Sequence, residues 1–91
     1  MRRRIKIHYR KLGKEQAWGI CHHGEFIEID ESLKGKKKFE IMLHECLHWV
    51  NPSDSEEEII KKSVLIANTI WNQGIAWIDR DNSQPLQDGK K

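Results

Sequence analysis

The residues best suited to chemistry in this 91-residue chain are His44-Glu45-Cys46-Leu47-His48. Two histidines four positions apart on a helix project from the same side, because four residues make just over one turn. Imidazoles in that register can share a Zn²⁺ ion. The glutamate between them is turned toward a neighbouring sector, where it can reach a water beside the metal without being a ligand. The chemistry expected is metal-assisted hydrolysis, most naturally of a peptide bond. Zinc would lower the pKa of water and polarise the carbonyl. Glu45 would take the water proton and pass it to the leaving amine. His22, His23 and Tyr9 are the candidates for stabilising a developing oxyanion, and nothing in the sequence separates them. The competing explanation is a chance match on a histidine-bearing helix, in a chain with five histidines.

That chemistry needs a helix, and the periodicity supplies one. Over residues 36–50, Phe39, Met42, Leu43, Cys46, Leu47, Trp49 and Val50 fill one broad arc of a helical wheel. His44 and His48 lie nearly opposite the centre of the arc, so they should face a cleft or solvent rather than the core. Asn51-Pro52-Ser53-Asp54 should end the helix, because proline disfavours helical geometry in the residue before it. Ser55 then opens a second helix, with Glu58 placed to complete a capping box. This helix should run to about Gln73, with Gly74 as its stop. Its apolar stripe is Ile59, Ile60, Ser63, Val64, Ile66, Ala67, Ile70 and Trp71.

Catalytic zinc usually has three protein ligands and one open position. The second helix begins Glu56-Glu57-Glu58, and acidic residues favour any helix N-terminus through its dipole. Phase distinguishes the three. Glu58 points away from the stripe, as a cap should; Glu57 sits at its edge; Glu56 falls near its middle. A carboxylate aimed at a core is costly unless paired or bound to metal, which favours Glu56 as third ligand and leaves Glu57 as the alternative.

The N-terminal half reads as strands. Residues 4–9 alternate charged and apolar, residues 17–21 form a second strand weakened by Gly19, and residues 26–30 form a third. His22-His23-Gly24-Glu25 is a hairpin connection. The expected fold is therefore α+β: a small antiparallel sheet of about three strands followed by two packed helices, the first carrying the H-E-x-x-H motif. Residues 1–78 should form one domain, with 75–78 packing back onto the body and 79–91 a mobile tail. The third strand suits equally a core strand and an exposed edge to which an extended peptide could add.

The motif followed by Ser55-Glu56-x-x-Ile59 resembles the small gluzincin-type metallopeptidases, including the ImmA/IrrE-like proteins and the minimal versions of phages and mobile elements. The matching region runs over about 36–71. The resemblance implies a zincin-like fold with His44, His48 and Glu56 as zinc ligands and Glu45 as general base. It also implies a strand-rich N-terminal half forming the upper wall of a cleft.

Composition narrows the classes. The net charge is +2, with basic clusters at Arg2, Arg3 and Arg4, at Lys34 and 36–38, and at Lys90 and Lys91. No nucleic-acid motif accompanies them, so they are taken as solvated faces. Two cysteines are too few for a disulfide scaffold, and Cys46 is expected as a buried free thiol. No apolar run would span a bilayer or serve as a signal peptide, so a cytoplasmic protein is expected. The partner expected is a peptide or protein substrate. The alternatives are a zinc-containing binding module or single-partner protease, favoured by small size, and a basic phage-type accessory protein.

Overall fold

The computed structural model describes residues 4–75. Three strands, β1 (Ile7–Arg10), β2 (Gly19–His22) and β3 (Phe26–Asp30), precede two helices, α1 (Gly35–Val50) and α2 (Glu56–Trp71). The architecture is α+β, with α1 packed on the sheet on one side and on α2 on the other. No helix among the described residues is long and apolar enough to cross a membrane. The proposed boundary at 78, the packing of 76–78 and the tail 79–91 lie outside the described residues.

The sheet is mixed rather than antiparallel. Its order is β1-β3-β2, with β3 antiparallel to β2 but parallel to β1. The chain leaves β1 through a 3-10 turn, Gly13–Glu15, and Gln16 reverses it in a left-handed conformation at φ 53°. β2 is thereby laid one strand position away from β1. The hairpin at His22–Glu25 then inserts β3 into the gap; Glu25 N donates to His22 O at 2.9 Å, and Gly24 takes φ +81°. A parallel pair needs a long crossover. Here residues 11–25, β2 included, provide it. The possibility that β3 forms an edge is thus overturned: β3 is central and β2 is an edge.

Alternation in β3 sorts its side chains onto two faces. Ile27 and Ile29 are fully buried toward α1 and, with Leu33, form the core against Ile7, Cys21, Ile41, Met42, Cys46 and Trp49. Each such aliphatic side chain contributes about 1.5–3 kcal/mol on burial. Both cysteines are free thiols, and Cys46 is partly covered in this core. At the end of β3 the Asp30 carboxylate accepts from Leu12 N at 2.9 Å and from Ser32 N at 2.8 Å. It thereby fixes both the exit from β1 and the turn into α1.

The opposite face of the sheet centres on Glu28, which is only 7% exposed. Arg10 of β1 grips it through Nε and Nη2, and His22 Nε2 of β2 lies 3.0 Å from its Oε1. One carboxylate thus ties both outer strands to the central one. These contacts, the Arg10 hydrogen bond foremost, hold the Glu28 carboxyl at about 2, below its ordinary 4.5. A depressed value means that ionised Glu28 stabilises the fold fully above pH 4.5 and loses that effect as pH falls toward 2. Comparing urea midpoints at neutral pH and at about pH 3, wild type should lose more stability than Glu28→Gln, which carries no titrating group there.

Candidate metal centre and cleft

Two helices assemble the centre. The turn between them is closed by Asp54 N donating to Asn51 O at 3.0 Å, with Pro52 at the position where fixed φ suits a β-turn. Lys62 pairs with Asp54 and holds the turn against α2. Ser55 caps α2: Glu58 N donates to its hydroxyl at 3.2 Å, and Ser55 N donates to the Glu58 carboxylate at 3.1 Å. Ile59, Ser63 and Ala67 form the buried line of α2. Phe39 and Trp71 meet between the helices with ring centroids 5.7 Å apart.

This return of the chain brings Glu56 onto the two histidines. Its Oε2 lies 3.1 Å from His44 Nε2 and its Oε1 lies 2.7 Å from His48 Nε2. The two imidazoles meet edge to face at 4.9 Å. One ligand atom from each residue falls within 4.8 Å of the others, and the cluster could hold a metal ion. Metal binding requires the neutral imidazole. Burial holds His44 below the ordinary histidine value, opposed by the Glu56 charge. The donor set of two imidazoles and one carboxylate suits a divalent transition metal.

The three glutamates at the start of α2 have three fates. Glu56 meets the histidines, Glu58 completes the cap, and Glu57 stands in solvent 3.9 Å from Lys61. One element of the expectation needs correction. Glu56 does not face a core; its side chain is 63% exposed. The first turn of α2 overhangs the rim of α1, so the wheel gives its direction but not its cover.

Glu45 is the single buried residue of α1, at 7% exposure. Burial pushes its carboxyl up to about 6, with His48 opposing and Glu56 adding to the shift. The residue above it is Gly19 of β2. A Cβ at position 19 would stand 2.8 Å from Glu45 Cγ, 3.1 Å from its Oε2 and 3.1 Å from Ile41 Cγ2. The glycine that weakens the strand pattern is therefore what lets the edge strand lie across the carboxylate. A glycine interrupting a strand can mark such close approach, and this was the available signal.

A cleft of about 410 Å³ opens between β2 and α2, and His44, Glu45 and Glu56 all border it. Among the described residues, His22, His23 and Tyr9 do not line it. His22 is turned to the far face of the sheet with Glu28, the His23 ring stands 6.5 Å from Trp49, and Lys38 lies over the Tyr9 ring at 4.8 Å. Trp18 lines the cleft.

Two outcomes test this geometry. Gly19→Ala should destabilise the chain by about 1–3 kcal/mol in urea unfolding, as overpacking does, although alanine normally suits a strand better than glycine. In equilibrium dialysis with a divalent metal, His44→Ala, His48→Ala and Glu56→Ala should weaken binding by more than the roughly 10–100-fold seen when a group behind a ligand is removed. Glu57→Ala should leave it unchanged.

No protein-family model, no curated protein and no solved structure matches this chain, so its function has to be inferred from these side chains.

Proposed function

We propose that the chain is a zinc-dependent peptidase in which His44, His48 and Glu56 hold the metal and Glu45 is the general base. The observation carrying this is the convergence of three donors from two helices, two of which, His44 and Glu56, border a cleft that also contains a buried carboxylate. Two imidazoles and one carboxylate are a donor set of catalytic zinc, which keeps a further position open. Bound there, zinc would supply Lewis acidity to water and to the scissile carbonyl. This is also the assignment that the resemblance to gluzincin-type peptidases implies.

The chain's own residues divide the remaining work. Glu45 belongs to the histidine-bearing turn but is rotated away from the metal-facing side, so it can accept a proton without competing as a ligand. Gly19 and Ile41 confine it. β2 is paired with β3 on one side, and Gly19 brings it to the cleft. An extended peptide could add to the other side of β2 through main-chain hydrogen bonds, with its carbonyl carried toward Glu45. That role passes from β3, the strand considered from the sequence, to β2, because only an edge strand has free main-chain groups to offer.

The test is metal analysis of protein purified without chelator, together with peptide cleavage by wild type and Glu45→Gln. Stoichiometric zinc in both, with cleavage reduced about 10²–10⁴-fold in the variant, is the expected result for loss of a general base. Zinc in both with no cleavage by either would leave a metal-containing binding module. A folded chain that takes up no zinc would remove both.

A further inference from the structure

We propose that the part of the cleft beyond the histidines is a side-chain pocket selecting a large apolar or aromatic residue of the substrate, with Trp18 and Ile60 as walls and Ser63 as its deepest lining. The inference rests on the peptide-binding role of the site and adds the class of residue recognised.

Exposure is the first observation. Trp18, Ile60 and Val64 are 53%, 46% and 39% exposed, yet all three line the same concavity, together with Ile41. Single exposed apolar residues need no explanation. Convergence of several from separate elements does: Trp18 precedes β2, Ile41 lies on α1, and Ile60 and Val64 stand one turn apart on α2. The concavity is continuous with the candidate centre, since His44, Glu45 and Glu56 border it too. A side chain placed among the apolar residues therefore holds its own backbone beside Glu45. The volume of about 410 Å³ is near the lower end of the roughly 300–1,000 Å³ of ligand pockets, which suits one side chain and its adjoining backbone.

Polarity is the second. Ser63 is 2% exposed and its hydroxyl donates to Ile60 O at 3.1 Å. The hydroxyl is thus engaged with its own helix, and the small residue adds depth. Lys37 and Glu40 are the charged residues of the lining away from the centre, and their charges are opposite. A charged substrate side chain would meet attraction and repulsion together, while an apolar one gains from all four apolar neighbours. Pockets of this kind discriminate by about 10–200-fold for each methylene gained or lost.

Binding can be measured apart from catalysis. The Glu45→Gln chain, purified without chelator, is titrated with acetyl-Ala-X-Ala-amide peptides, X being Phe, Leu, Ala, Asp or Lys, and followed by NMR. Phe and Leu peptides should bind at least about tenfold tighter than the others and should shift the Trp18 indole and Ile60 methyl resonances. Ile60→Ala, at a half-exposed wall position, should weaken that ranking by opening the pocket. Trp18→Ala, at an exposed position that does not threaten folding, should flatten it. Equal binding of all five peptides, preference for Asp or Lys, or a ranking unchanged in Trp18→Ala would overturn the pocket. Ranking without cleavage by wild type keeps the pocket and removes the peptidase; cleavage without ranking keeps the peptidase and removes the pocket.

Discussion

Successive residues on a helix are turned by about 100°, and this one constraint makes α1 serve three neighbours at once. His44 and His48, one turn apart, share the direction that meets Glu56 of α2. One step along, Glu45 is carried beneath β2. One step further, Cys46 joins Met42 and Trp49 against the sheet. The spacing that sets two histidines side by side is therefore the spacing that sends the intervening carboxylate to the cleft and its neighbour to the core. α2 completes the arrangement because Ser63 and Ala67 are small and fully covered. Interhelical distance follows side-chain size at the contact, so these residues bring the start of α2 within reach of the imidazoles.

Two glutamates show how position alone divides one chemistry into two. Glu28 and Glu45 each expose only 7% of their surface, but Glu45 lies deeper beneath the fold, and the two shift in opposite directions. At Glu28 the hydrogen bonds from Arg10 and His22 outweigh burial, and the carboxylate stays ionised as the tie across the strands. At Glu45 burial outweighs the nearby His48, and the carboxyl is raised. Charge pairing favours the ionised form and desolvation the neutral one. Opposed environments thus push like carboxyls apart within one fold.

What the sequence reveals is what is local. The helix limits, the Ser55–Glu58 capping box, the hairpin at Gly24 and the whole of β3 depend on residues a few positions apart, and all are present. Strand direction is different. A period of two states which face a side chain takes, not which way its neighbour runs, so the parallel β1–β3 pair was invisible. Cover is likewise non-local. Ile60 and Val64 belong to the apolar stripe by phase, but among the described residues no element lies over them and they open onto the cleft. Glu56 shows the same limit: the wheel separates it from Glu57 and Glu58, while its 63% exposure depends on where α2 crosses α1.

That exposure bears on the kind of centre the helices form. A carboxylate buried as deeply as the core residues of α2 would incur a desolvation penalty of several kcal/mol before meeting its partners. Glu56 avoids most of it by standing at the rim, while His44 and His48 remain largely covered, at 15% and 23% side-chain exposure. Covered imidazoles are held in place by packing, whereas an exposed carboxylate leaves its side of the cluster accessible. A closed structural metal site would require a fourth donor, and among the described residues the cluster has three. The open side meets the cleft beside Glu45 and Gly19. This openness supports the proposed catalytic reading over a metal that only staples two helices together.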